Sequence, residues 1–214
     1  MVEALQNVSD EQLAQRSQAD DWASFDELVR RYEARIYRFA LSCCGHEADA
    51  RELTQETFVS AYQHLRQYDP TRSFTTWLFI IARRKCIDRG RRPRRDFVSQ
   101  LPDLPDSNDP SVLLGRREAA EELWQTARRV LSDTQFQTLW LHYVEDLGVR
   151  EVARVMRRTQ PHVKVLLFRA RRLLAVELGR AAVVEQMQSH RSSIGQVTVA
   201  MPAASPAAQT SNHV

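Results

Sequence analysis

Cysteine, glycine, proline and lysine are all scarce in this chain, and each shortage excludes a class of protein. The 3 cysteines, Cys43, Cys44 and Cys86, are odd in number with two adjacent. That is no disulfide framework, and it suits a reducing compartment, so the expected location is the cytoplasm. With 6 glycines and 8 prolines the chain has too few turn formers for many strands, so composition favours an all-α fold. No apolar run approaches the roughly 18 residues a membrane helix needs, and the N-terminus lacks the basic-then-apolar layout of a signal peptide, so neither insertion nor export is expected. Catalysis is not expected either. Cys43-Cys44-Gly45-His46 offers two thiols and one imidazole, too few for a closed zinc site, and no base with an orienting partner accompanies them. Free cysteine is usually buried, and these read as small residues near a helix end, with no metal or cofactor implied. Lysine is the last shortage. Of 30 basic residues only Lys85 and Lys164 are not arginine, and arginine is the side chain suited to bidentate phosphate and base contacts.

What is present is helical periodicity. Ser9 with Gln12 has the form of a capping box that opens a short first helix. Trp22, Phe25, Leu28, Val29, Tyr32, Ile36 and Phe39 then recur at the spacing of one buried stripe until Gly45 stops it. A third helix begins near Ala48, with apolar positions Leu53, Thr57, Phe58, Ala61, Tyr62 and Leu65. Tyr68-Asp69-Pro70-Thr71-Arg72-Ser73 reads as a loop, and a fourth helix spans about Phe74 to Arg89. Residues 96–122 carry seven acids against two arginines, with Pro102, Pro105 and Pro110 among them, and 96–112 is expected to be a stiffened, flexible linker. Periodicity returns over 113–180. Ser132 with Gln135 again has capping-box form, and two shorter helices, about Val149–Met156 and Gln160–Leu178, flank a turn at Arg157-Arg158-Thr159. Residues 189–214, small and polar, are expected to be a disordered tail.

Charge is segregated. Asp10–Tyr62 holds eleven acids against six arginines, Arg83–Arg95 eight basic residues against Asp88 alone, and Arg154–Arg172 seven basic residues and no acid. Two cationic helices separated by an acidic linker point to nucleic acid. The first basic run, Arg83-Arg84-Lys85 through Arg91 and Arg92, follows Tyr68, Phe74, Trp77 and Phe79. Aromatic rings beside a phosphate-binding strip suit stacking on unpaired bases, although Trp77 is as consistent with a core position from its spacing to Ile80 and Ile81, and Phe74 more consistent with core than with stacking. The second run lies in a helix-turn-helix pattern. Val152, Ala153 and Met156 on one helix and Val163, Leu167, Ala170 and Leu174 on the next form the apolar stripes, Thr159 is the expected N-cap, and Pro161 in the first turn costs no hydrogen bond. Gln160, His162, Lys164, Val165 and Arg169 then stand where major-groove contacts concentrate.

The order of these features resembles the sigma-70 family of RNA polymerase sigma factors, in its small two-domain extracytoplasmic-function group, over about residues 9–178. Asp49-Ala50-Arg51-Glu52-Leu53-Thr54-Gln55-Glu56-Thr57-Phe58 is similar to the family's polymerase-binding helix, and the resemblance implies that Asp49, Glu52, Gln55, Glu56 and Phe58 meet core polymerase. Phe74–Arg83 is similar to the segment that melts and reads the −10 element. Tyr68, Arg72, Ser73, Phe74, Trp77, Arg83, Arg84, Lys85, Asp88, Arg91 and Arg92 are the implied contacts to an unpaired strand. Leu147–Ala153 and Val163–Arg171 resemble the −35-reading helix-turn-helix, with Arg158, Gln160, His162, Lys164, Val165, Arg169 and Arg172 on duplex DNA. Val165 and Leu166 replace the Ser and Arg common there, and Arg157 and Thr159 replace the turn's usual Gly and Pro. The implied domains are 9–95 and 113–180, and the implied partners are core polymerase, promoter DNA and an anti-sigma factor. The rival from sequence is a stand-alone helix-turn-helix regulator.

Overall fold

The computed structural model describes residues 5–90, 120 and 122–179. Among them every regular element is a helix: α1 (Asp10–Gln18), α2 (Trp22–Cys44), α3 (Glu47–His64), a 3-10 turn (Leu65–Gln67), α4 (Phe74–Gly90), α5 (residues 122–130), α6 (Asp133–Tyr143), α7 (Val149–Met156) and α8 (Gln160–Glu177). The expected linker, the tail, Arg91 and Arg92 lie outside the described residues.

The helix ends follow from their caps. Both expected capping boxes form, Ser9 with Gln12 and Ser132 with Gln135, each hydroxyl accepting the N3 backbone N–H while the glutamine returns to the cap. Asp21 caps α2 by accepting from the Ala23 and Ser24 amides, and Gly45 ends it at φ 77°, a left-handed turn open to glycine. Arg157 makes the same turn after α7 at φ 52°, where a side chain is strained, and Thr159 then caps α8 with Pro161 in its first turn.

In the first domain Leu28, Tyr32, Ile36 and Phe39 of α2 pack against Leu53 and Ala61 of α3 and Phe74, Leu78, Phe79 and Ala82 of α4, with Leu13 and Ala14 of α1 closing one end. Phe39 meets Phe79 edge-on at 5.4 Å and Tyr32 meets Phe74 at 5.5 Å. The second domain is built on Trp124 of α5 and Phe136 and Trp140 of α6, over which Val152, Val163, Leu167, Ala170 and Leu174 bury the two stripes of the helix-turn-helix. Trp22 departs from the expected stripe. It is the first residue of α2 and 67% exposed, with one face stacked on Tyr62 at 4.9 Å.

Arg31 ties the N-terminal segment to α2. Its guanidinium donates to the carbonyls of Leu5 (2.7 Å), Gln6 (2.9 Å) and Val8 (2.8 Å) and to Asp10 (2.7 Å), while its Nε donates to Glu27 (2.8 Å). Hydrogen bonds from Arg30, then Arg31, hold the Glu27 carboxyl down at about 2. A depressed carboxyl contributes stability above its ordinary value of 4.5 that is lost as pH falls through about 2, so this clamp survives mild acid. Arg31→Ala is expected to cost about 2 kcal/mol, since hydrogen bonds to charged donors contribute roughly 1.5–3 each and the segment is partly solvated. Lysine is not expected to restore it, because one ammonium cannot reach acceptors spread over a fork. Urea unfolding and amide exchange over residues 5–12 measure both.

Candidate nucleic-acid interface

Alternating burial on α3 sorts its residues. Leu53, Thr54, Thr57, Phe58 and Ala61 face the core, while Glu52 and Gln55 are exposed and Asp49 and Glu56 half-exposed along the opposite side. Phe58 is therefore corrected: at the periodicity of the core stripe it is an internal residue and carries the helix rather than a partner contact. The acids are engaged at their edge. Arg89 of α4 lies 3.6 Å from Asp49 and also bonds Glu52, and Lys85 lies 3.5 Å from Glu56. Such partly exposed pairs contribute only about 0–1 kcal/mol, so a partner can exchange them.

Around the Asp69–Ser73 loop the expected aromatic strip is mostly internal. Tyr68 and Phe74 are buried, meeting edge-on at 5.5 Å, so the expectation that both face a base is corrected. The loop bends because Asp69 accepts from the Thr71 amide at 3.0 Å and Arg72 returns to Asp69 at 3.1 Å, and Tyr68 follows it inward with its hydroxyl on the Arg72 carbonyl. Burial drives the Tyr68 hydroxyl well above its ordinary pKa. Trp77 is half-buried, one edge tilted onto Tyr68 at 5.1 Å and Phe74 at 5.6 Å, the remainder outward. Ser73 caps α4 by accepting the Thr76 amide at 3.2 Å, and Glu11 of α1 accepts the Phe74 amide at 3.1 Å. Arg72, Arg84 and Asp88 are exposed.

Arg83 is differently placed, because the second domain docks on this side of α4. Its Nε donates to Gln137 of α6 at 3.2 Å and its Nη1 to the Val155 carbonyl of α7 at 3.5 Å, and burial lowers its pKa. Thr76 donates to Glu151 of α7 at 3.0 Å. Across the same seam Arg35 of α2 donates to Glu145 at 2.9 Å and lies over the Tyr32 ring at 4.9 Å. The Glu145 side chain is 1% exposed, and it also accepts from Trp140 Nε1 at 3.2 Å. Arg128 of α5 closes the seam on the Cys43 carbonyl at 3.2 Å.

On α8 every implied contact faces out: Arg158 in the turn and Gln160, His162, Lys164, Val165, Arg169 and Arg172 along the helix are all exposed. Phe168, 62% exposed, stands beside them and is a residue that the buried stripe alone does not reveal. No group of three or more His, Cys, Asp or Glu side chains suited to a metal occurs among the described residues, and no described helix is long and apolar enough to cross a membrane.

Two sequence families match these two helical units. Residues 28–96 match the family described as Sigma-70 region 2, and residues 121–174 that described as Sigma-70, region 4. The sigma factor SigM of Bacillus subtilis, of the extracytoplasmic-function (ECF) group, is 31% identical over 153 residues, which is 71% of this chain and 93% of that protein. The chain belongs to the ECF group of sigma-70 factors. As an RNA polymerase sigma factor it binds core polymerase and directs promoter recognition and transcription initiation. Solved structures share the fold. CnrH, determined in complex with the cytosolic domain of CnrY, superposes with a TM-score of 0.59 at 22% identity, covering 80% of this chain and 98% of that one. The sigma factor RpoE of Bartonella quintana, determined in complex with the anti-sigma factor NepR, gives 0.56 at 16%, covering 73% and 98%. In this sigma factor the region 2 match contains α3, α4 and the loop between them, and the region 4 match contains α7 and all but the end of α8.

Proposed function

We propose that this ECF sigma factor, a cytoplasmic initiation factor without catalytic activity of its own, divides its work among three surfaces of two domains, residues 9–95 and 113–180. Asp49, Glu52, Gln55 and Glu56 on α3 dock on a basic part of core polymerase, where charge complementarity sets orientation and on-rate. Val59 and Tyr62, exposed one and two turns further along the same helix, extend that face with apolar area. Arg72, Trp77, Arg83, Arg84 and Lys85, with Arg91 and Arg92, hold an unpaired −10 strand, Tyr68 and Phe74 shaping the loop from beneath. The α8 face reads duplex at −35.

The observation that carries this reading is the contrast between the two DNA faces. The α8 face is open, whereas Arg83 and Thr76 on α4 are bonded to α6 and α7. The free chain is therefore closed over part of its −10 surface, and polymerase, by separating the domains, completes it. The stand-alone regulator has no use for such a closure. An anti-sigma partner fits the same scheme, and a sigma factor that shares this fold was determined in complex with one. Run-off transcription with core polymerase on genomic fragments tests the proposal: transcripts are expected only with both proteins present, and retention of promoter fragments by this chain alone, with no transcript on adding core, would overturn it.

Within α8, position divides roles. Arg169→Ala and Arg172→Ala are expected to weaken promoter binding by holoenzyme alike across sequences and to flatten its salt dependence by roughly one unit each, as phosphate contacts do. Gln160→Ala, in the first turn, is expected to relax discrimination at one base pair by roughly 1–3 kcal/mol with little change in salt slope. Affinity against salt for a promoter and its single-base −35 variants separates these, and a reversed pattern would place α8 in another register.

A further inference from the structure

Helix α1 grips both ends of the loop that carries Arg72, although it lies outside residues 28–96 of the region 2 match. Glu11 and Gln18 are seven residues apart, two turns and roughly 10 Å along the axis, so they stand on one face of that helix. Gln18 holds the near end. Its Nε2 donates to the Leu65 carbonyl at 2.8 Å and to the Tyr68 carbonyl at 2.7 Å, at the start of the 3-10 turn and just past it. Glu11 holds the far end by accepting the Phe74 amide at 3.1 Å, where the first N–H groups of α4 have no partner within the helix and a carboxylate is favoured. A third strut reaches the next residue, since the Tyr32 hydroxyl donates to Asp10 and meets Thr75 Oγ1 at 2.6 Å. Leu13, Ala14 and Ser17 are buried, so the helix bearing these side chains is itself fixed in the core. The loop's own polar bonds, from Thr71 and Arg72 to Asp69, are exposed. They bend the chain locally, and α1 places the bend relative to α4.

We propose that α1 is a positioning element for −10 recognition, with Glu11 and Gln18 holding the 69–73 loop where Arg72 and Trp77 meet unpaired bases. This rests on the assignment of that loop and of α4 to the −10 strand. Neither Glu11 nor Gln18 touches DNA. Their effect is preorganisation: a loop held in its bound shape before the strand arrives loses little freedom on binding, and its affinity rises by the cost avoided. Discrimination depends on the brace more than charge does. Contacts that tell one base from another need donors and rings in fixed places, whereas a phosphate contact such as that assigned to Arg84, exposed on α4 beyond the loop, carries no sequence information. Loss of the brace therefore weakens binding of the preferred strand and narrows the gap between it and a substituted one.

The test uses holoenzyme and fluorescently labelled non-template oligonucleotides spanning the −10 element of a promoter found by run-off transcription, together with their single-base variants. Anisotropy gives the affinities, while pull-down with core enzyme and circular dichroism report docking and fold. Gln18→Ala and Glu11→Ala are each expected to weaken binding of the matched strand about tenfold, the scale set by losing one or two hydrogen bonds, and to bind substituted strands nearly as before. Glu11→Gln keeps an acceptor for the Phe74 amide and is expected to stay near the wild type. Arg84→Ala is expected to weaken all strands alike. Should Arg84→Ala do so while Gln18→Ala and Glu11→Ala keep wild-type affinity and discrimination, the −10 assignment stands and the brace falls. Should none of the three affect any strand, the assignment falls and takes the proposal with it. A loss in the α1 variants that is equal for every strand and follows a fall in helicity would also overturn the proposal, since α1 would then support the fold and not the reading.

Discussion

Asp49→Ala and Gln55→Ala together are expected to abolish co-purification of this sigma factor with core polymerase while leaving its helicity and unfolding midpoint near the wild type. Both halves of that result follow from where the side chains stand. Gln55 is exposed and Asp49 half-exposed on the side of α3 away from Leu53, Thr57 and Phe58, so truncation opens no cavity. Asp49 lies 3.6 Å from Arg89, a partly exposed pair contributing about 1 kcal/mol to folding. At a polymerase interface the same groups become desolvated, and hydrogen bonds to charged partners there contribute roughly 1.5–3 kcal/mol each, so losing both lowers affinity by roughly a hundredfold or more. Pull-down with core enzyme and circular dichroism on the same preparation measure the two halves. Wild-type retention would move the docking face elsewhere, and Val59 and Tyr62 are the next residues along the helix.

Arg35→Ala carries the largest expected loss of stability. It leaves Glu145, almost wholly buried, with the Trp140 indole donating to it and Arg38 near enough to act on its charge. Removing one member of a buried pair costs about 3 kcal/mol at neutral pH, the low end of the usual range because Arg35 itself is partly solvated. The sign of the pH dependence is set by Glu145. Burial already raises its carboxyl above the ordinary 4.5, Arg35 opposing the rise, and without Arg35 the folded-state value climbs further. A carboxyl raised on folding is destabilising above its folded pKa and neutral below its unfolded one, so the deficit of Arg35→Ala should shrink as pH falls toward 4.5. Adding Glu145→Gln, which keeps an acceptor for Trp140 without the charge, should recover most of the loss at pH 7. Urea midpoints of the variants across that range check the sign as well as the size.

Much of this fold is legible locally. Ser9 with Gln12, Asp21, Gly45, Ser132 with Gln135 and Thr159 mark helix ends by chemistry that acts over two to four residues, and the α7 and α8 stripes are set by spacing alone. Periodicity does not say where a stripe ends or which of two apolar neighbours turns inward. Trp22 continues the spacing of α2 to its first residue, where Tyr62 stacks on it and most of it stays exposed, and Phe58 sits in a polymerase-binding pattern yet on the core side of its helix. Tyr68 lies in a loop, where there is no period to read, and its direction is set by Asp69 and Arg72 bending the chain. The seam is the least legible part. Arg35 and Glu145 are 110 residues apart, on elements whose docking no motif announces, so Arg83, read as a free DNA contact, is found holding Gln137 and Val155.

That seam is also where the account is most exposed to test. The decisive measurement is the distance between spin labels on Glu33 of α2 and Glu177 of α8, both exposed and outside the proposed contacts, in the full chain alone and in complex with core polymerase. The closed arrangement predicts one short, narrow distribution in the free sigma factor and a longer one on polymerase, as Arg83 is released to meet DNA. An unchanged distance in a holoenzyme that still transcribes would contradict it, since the −10 surface would then be complete without the domains parting.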